Sequence, residues 1–257
     1  LDLNCRAAIL IEQGSGRVLY EKNADERREV ASITKLMTAL LVLEALDRDE
    51  IALTDSVQIS PRAAAMKGSQ ALLDASAVYP LEDLLRTTIM ASANDSAVAL
   101  SEYIAGSEEN FVDRMNRRAA ELGMTNTNYV NCTGYPQSGQ YTTARDVCRL
   151  CCEIAKHPRY NQYASVWIDK LTHPSGRVTD LTNTNRLVRF YEGCDGYKTG
   201  STDAAKYCLA ATAEKNGMRL VAIVLGTPVS QTRFNEARQM LDYGFATYRR
   251  AVICLLY

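Results

Sequence analysis

Three short segments carry the residue types that acyl transfer needs: Ser32-Ile33-Thr34-Lys35, Ser92-Ala93-Asn94 and Lys198-Thr199-Gly200. A serine hydroxyl is a weak nucleophile until a neighbouring base takes its proton. Lys35 follows Ser32 by one helical turn and shares its face. A lysine in the first turn of a buried helix sits at the wrong end of the macrodipole. Desolvation and a second nearby cation lower its pKa further, which suits it to act as a base at neutral pH. A neutral Lys35 amine within hydrogen-bond reach of Ser32 Oγ is therefore expected. The Ser32 N–H, at the helix start, is placed to serve an oxyanion. Ser92 can pass a proton between Lys35 and a leaving amine, and Asn94 offers an amide that orients both a lysine and a substrate peptide group. Lys198 and Thr199 can bind a carboxylate, and Gly200 would let a substrate backbone lie against a strand.

Each segment also has a plainer reading. Ser32 can be a helix cap whose Lys35 neighbour reaches to solvent, and on that segment alone the two readings weigh equally. Ser92 and Asn94 can cap the helix that follows. A lysine on an edge strand protects against edge-to-edge aggregation, although that leaves the adjoining Thr-Gly-Ser-Thr unexplained. Order, spacing and setting together favour one active site.

The elements that must position these residues follow from periodicity. Ile33 to Leu46 has no Gly or Pro and no charge between Lys35 and Glu44, and its apolar residues go nearly all round a helix, the pattern of a buried one. Pro80-Leu81-Glu82-Asp83 reads as a helix start, leading into the second segment at a junction with the next helix, Asp95 to Ile104. Ala7 to Ile11 and Arg17 to Tyr20 form an expected hairpin around Gly14-Ser15-Gly16. Ala204 to Ala213 and Met218 to Gly226 form another around Asn216-Gly217, placing Lys198-Thr199-Gly200 at a sheet edge. A helix is expected from about Gln231 to Tyr248, and residues 60–160 read as mostly helical. Periodicity alone supports an α+β fold.

With 257 residues the chain can bury a sizeable core, and a formal net charge of −1 gives no electrostatic case for nucleic acid. No stretch approaches a membrane span, and residues 1–20 carry no signal-peptide pattern. Eight cysteines are too sparse here for a disulfide scaffold. Cys148, Cys151 and Cys152 fall at helical spacing with Val147, Leu150 and Ile154, so core packing is expected, and a zinc site would want a further ligand. The two histidines, His157 and His173, each precede proline and are expected in loops; with no Gly-x-Ser-x-Gly elbow, a Ser-His-Asp hydrolase is disfavoured.

The three segments match the signature of β-lactamases and penicillin-binding proteins. Together with Ala91-Ser92-Ala93-Asn94-Asp95, Thr143-Ala144-Arg145-Asp146, Asn183-Thr184-Asn185-Arg186-Leu187 and Gly193-Cys194-Asp195-Gly196-Tyr197-Lys198-Thr199-Gly200, they make the chain resemble the serine-type D-alanyl-D-alanine carboxypeptidases along essentially its whole length, most closely those of spore-forming Gram-positive bacteria. Asp74 to Val78 and Tyr141 depart from that pattern, Tyr141 standing where some relatives have a histidine. The resemblance implies a penicillin-recognising fold: an antiparallel sheet from both chain ends, helices on its faces and a mostly helical insertion. Residues 1–257 would form a single catalytic domain, with 1–59 and 161–257 holding the sheet and 60–160 the helices. It also implies Ser32 as acylated nucleophile, Lys35 as base, Ser92 and Lys198 in proton transfer, and Asn94 on the substrate amide. The oxyanion hole would be the N–H groups of Ser32 and Ser201, and Arg233 would help hold the substrate's terminal carboxylate. The implied substrate is a peptidoglycan stem peptide ending in D-Ala–D-Ala, with β-lactams as inhibitors. No cofactor or metal is implied. Location would be extracytoplasmic, and membrane attachment only through an anchor outside this chain. A β-lactamase would want a deacylating glutamate; Glu153, the only glutamate between Glu121 and Glu192, lacks the expected context. A penicillin-sensing relative that never turns over is the third reading.

Overall fold

Both ends of the chain meet in one antiparallel sheet in the computed structural model, which describes residues 1–248. Strands β1 (Ala7–Glu12) and β2 (Arg17–Lys22) form the first hairpin. A 3₁₀ turn, Ala31–Thr34, runs into α1 (Lys35–Asp47). The middle of the chain holds β3 (Ser56–Gln58), α2 (Pro61–Ala64), β4 (Val78–Pro80), α3 (Leu81–Met90), α4 (Asn94–Ala105), α5 (Glu108–Glu121), α6 (Ala144–Ile154) and α7 (Pro158–Ala164). A small hairpin of β5 (Ile168–Thr172) and β6 (Val178–Thr182) follows, then α8 (Leu187–Phe190). The chain returns to the main sheet through β7 (Cys194–Thr202), β8 (Lys206–Lys215) and β9 (Met218–Thr227), and α9 (Ser230–Thr247) closes the described part. The end of the expected sheet-containing part, residues 249–257, lies outside the described residues.

The main sheet runs β2-β1-β9-β8-β7, so the first strands pair with the last and β7 is an edge. Asn216 and Gly217 turn β8 into β9 with φ of 51° and 73°, the positive pair that a tight hairpin matching strand twist needs. The central strands are apolar without alternation because both faces are covered. Ile9, Ile11, Val221 and Ile223 face one core with α1 and α6; Ala8, Leu10, Leu220 and Ala222 face a second with α9. Helix α1 is buried all round, with Leu36, Met37, Leu40, Val42 and Leu43 at 0% exposure, as its unbroken apolar run implies.

One local expectation changes. Ser32 lies on the 3₁₀ turn rather than on α1, and its side chain makes no cap hydrogen bond. The turn is entered through Ala31 at φ 51°, a left-handed conformation that costs a residue with a Cβ about 1 kcal/mol or more.

Candidate active site

Lys35 opens α1 with its amine turned inward, 3.0 Å from Ser32 Oγ and donating to Thr133 O at 2.7 Å. It is 1% exposed and, among the described residues, has no ion-pair partner. Burial pushes its pKa from the usual 10.5 down to about 7, against the weaker opposing influence of Cys132 and Asp95. Charge is expensive in such a place, so a neutral amine with a lone pair toward Ser32 is the form the site favours near neutrality.

The Thr133 carbonyl is fixed by a turn that sequence reasoning missed. Asn131 Oδ1 accepts from Gly134 N at 2.7 Å and Thr133 N at 3.2 Å, and Asn131 Nδ2 donates to Tyr135 O at 2.9 Å. Gly134, at φ 77°, comes so close to Ala31 that an added Cβ would lie 1.9 Å from the Ala31 carbonyl oxygen. Glu108 accepts from Cys132 N at 2.9 Å, and Thr38 Oγ1 donates to Cys132 O at 2.6 Å, tying the turn to α5 and α1. The available signal was Asn131-x-x-Gly134, a combination of Asx turn and left-handed glycine.

The second segment bridges α3 and α4. Ser92 is 3% exposed and holds φ at 63°, again left-handed without being glycine. Asn94 starts α4; its Nδ2 donates to Lys67 O at 2.6 Å, while its buried Oδ1 has no partner. An unpartnered buried acceptor is costly unless a donor arrives. Asp95 beside it is fully buried and accepts from Ala71 N at 2.9 Å and Leu73 N at 3.1 Å, pinning the loop that carries Gly68 and Ser69.

The third segment lies on edge strand β7. Lys198 is 1% exposed, and its Nζ donates to Thr199 O at 3.0 Å. Burial first, then the positive charges of Lys35 and Arg233, hold Lys198 well below the usual lysine range. Thr199 Oγ1 donates to Thr184 Oγ1 at 2.7 Å, and Thr184 N donates to Met90 O at 3.2 Å, which links β7 to the end of α3 just before Ser92. A Cβ at Gly200 would lie 2.3 Å from Val30 O and 3.1 Å from Ser32 N, so the glycine also lets β7 close onto the turn that carries Ser32. Arg233, on α9, donates to Gly200 O at 3.0 Å from behind and stacks on Tyr207.

These pieces surround a cleft of about 580 Å³ lined by Ser32, Gly68, Ser69, Asn94, Gly134, Tyr135, Pro136, Ser201, Thr202, Asp203, Lys206, Tyr207 and Pro228. Lys35, Ser92, Lys198, Thr199 and Arg233 are not on its lining; they lie buried beneath it.

The peptidase S11 model, D-alanyl-D-alanine carboxypeptidase, matches residues 1–229. The chain belongs to this family. It is 42% identical over 243 residues to D-alanyl-D-alanine carboxypeptidase DacF of Bacillus subtilis, covering 95% of this chain and 62% of that protein. It thus spans about three fifths of the length of such curated relatives. The D-alanyl-D-alanine carboxypeptidase of Streptomyces sp. strain K15 is 31% identical, with 92% of this chain and 85% of that one aligned. The crystal structure of DacD from Francisella tularensis superposes with a TM-score of 0.92 at 30% identity, covering 96% of this chain and 71% of that one. The penicillin-recognising fold expected from the motifs is the one observed.

Other residues singled out in this S11 chain fall away from the cleft. Glu153 is held by Arg118 at 2.9 Å and Lys156 at 2.6 Å. Cys148 and Cys151 are buried in the core and Cys152 is half-buried. His157 precedes α7 and bonds Asp47 at 2.6 Å; His173 is buried, between Tyr79 Oη at 2.7 Å and Thr179 Oγ1 at 2.8 Å. Tyr141 lies under the Arg27 guanidinium, 4.8 Å from ring centroid to Cζ. Of the Asp74 to Val78 departure, Asp74 is held by Arg177 and Ser175 in a loop, and Val78 opens β4.

Proposed function

We propose that the protein is a serine DD-carboxypeptidase that removes the terminal D-alanine from peptidoglycan stem peptides through an acyl-enzyme on Ser32, and that β-lactams acylate the same oxygen. One observation carries the reading: a buried Lys35 amine without an acidic partner, 3.0 Å from Ser32 Oγ. Lys35 takes the Ser32 proton as Oγ attacks the D-Ala–D-Ala carbonyl. The oxyanion is held by the N–H groups of Ser32 and Ser201. Ser92 and Lys198 return a proton to the leaving D-alanine nitrogen, so the C–N bond breaks as the acyl–oxygen bond forms. Water then hydrolyses the ester and frees Ser32. Asn94 Oδ1, which lacks a partner, accepts from a substrate amide. Lys198 and Thr199 hold the terminal carboxylate, while Gly200 and Arg233 keep β7 and its charge in place behind them.

The chain works as a single catalytic unit. Of the residues that line the cleft, Ser32 and Ser201 belong to its sheet-containing part and Asn94 and Tyr135 to its helical part. The reaction needs no cofactor, and its substrate places it on the outer side of the cytoplasmic membrane. No described helix is long and apolar enough to cross a membrane. Against a β-lactamase, no glutamate lines the cleft to activate the deacylating water.

The test pairs D-alanine release from diacetyl-Lys-D-Ala-D-Ala with intact-protein mass after adding benzylpenicillin. Release of D-alanine and a lasting adduct, both lost in Ser32→Ala, are expected. An adduct that survives Ser32→Ala refutes the nucleophile. Rapid drug consumption with no lasting adduct means a β-lactamase. An adduct without peptide turnover means a sensor.

A further inference from the structure

Strands β7 and β8 meet in a hairpin whose last paired positions are Thr202 and Lys206, leaving Asp203, Ala204 and Ala205 as the loop. The residue that closes this hairpin is left-handed, a conformation that glycine takes without strain. Here Lys206 takes it, at φ 56°. A long charged side chain is thus held where the backbone prefers none, and that side chain lines the cleft that Ser32 opens onto. Lys206 is exposed, and its ammonium has no hydrogen bond or ion pair among the described residues. Among the described residues it is the only cation on the cleft lining, which otherwise carries one charge, Asp203. Strain kept at a cleft points to a ligand.

The layout of β7 says which part of a substrate passes there, on the carboxypeptidase reading above. The terminal carboxylate rests by Lys198 and Thr199, and the scissile carbonyl by the Ser201 N–H. The strand continues in the same direction to Thr202, which pairs with Lys206. Peptide on the acyl side of the scissile bond, rising about 3.3 Å per residue, therefore reaches the hairpin within two or three residues. We propose that Lys206 binds a free carboxylate on the acyl side of the stem peptide, upstream of the penultimate D-alanine, and so makes anionic stems the preferred substrates. Two positions can supply that carboxylate: the α-carboxylate of a γ-linked D-glutamate at the second residue, or the side-chain carboxylate of a diaminopimelate at the third.

Four synthetic pentapeptides ending in D-Ala-D-Ala separate the sources: both carboxylates present, the second-residue carboxylate amidated, lysine in place of diaminopimelate, and both changes together. D-Alanine release is followed as kcat/KM for wild type, Lys206→Gly, which relieves the backbone, and Lys206→Glu. Wild type is expected to favour a carboxylate-bearing peptide over the doubly changed one by about 5-fold, mostly in KM, the range of a solvent-exposed charge pair. Lys206→Gly brings that ratio to about 1, and Lys206→Glu inverts it. The single change that erases the wild-type preference names the source. Release without any preference, or with a preference that Lys206→Gly leaves intact, overturns the proposal alone. No release from any peptide overturns the carboxypeptidase reading and the proposal with it.

Discussion

Helix α1 buries charge at both of its ends, by opposite means. At its start, Lys35 is 1% exposed and faces only a hydroxyl and a carbonyl. About two and a half turns on, Glu44 meets Arg118 at 2.7 Å, and the same guanidinium takes Glu153 at 2.9 Å. Burial works against the Arg118 charge, yet hydrogen bonding and the charges of the carboxylates around it, Glu44, Glu153 and Glu121, carry its pKa upward. With no such partner, Lys35 is carried down to about 7. A paired charge fastens α1 to α5 and α6. The unpaired one leaves an amine of lowered pKa beside the Ser32 hydroxyl, at a cost in stability. Function here is written in what the structure withholds.

The largest effect that sharpens this contrast comes from Lys35→Met. It should slow penicillin acylation on the order of 10³-fold, the range of general-base loss, while stability in urea stays level or rises. A large drop in stability would mean that Lys35 is structural after all. The linked pH dependence is next. Unfolded Lys35 keeps its proton to near 10.5 and folded Lys35 sheds it near 7, so between those values the unfolded chain binds more protons. Wild-type stability relative to Lys35→Met should therefore climb from pH 7 toward 10, by on the order of a few kcal/mol. A flat difference would show that Lys35 titrates as it does in water.

At the paired end the signs reverse. Arg118→Met should cost about 2 kcal/mol, below the figure for a deeply buried pair because solvent reaches the guanidinium, and leave acylation within about 2-fold. Burial tends to raise the Glu153 pKa, but Lys156 and Arg118 outweigh it and hold it low. Its contribution is present above its unfolded pKa and fades as pH falls through the folded one. The smallest effect belongs to Lys156→Met. Lys156 is 65% exposed in its pair with Glu153, and its loss should cost under about 0.5 kcal/mol by the same urea titration.

Much of this molecule is legible in the sequence because the signals are local. Asn216-Gly217 sets a hairpin by its own backbone preference, and the apolar run through Leu46 announces a buried helix. The three motifs name the buried hydroxyls and amines before any contact is known. What escaped are closures between distant segments. The carbonyl that Lys35 holds belongs to Thr133, 98 residues away, and no periodicity points to it. Gly200 reads as a place for substrate, and nothing local announces its close approach to Val30 and Ser32. The 3₁₀ turn that carries Ser32 likewise packs against Gly134, a tertiary contact that helix propensity cannot register.

The most direct test is the rate constant for benzylpenicillin acylation of Ser32, followed by intact mass between pH 5 and 9. An unpaired Lys35 acting as base predicts a rise of about tenfold per pH unit that levels off at an inflection near 7. A rate that stays flat across the whole range would contradict it, because a lysine that does not change protonation there is not the base.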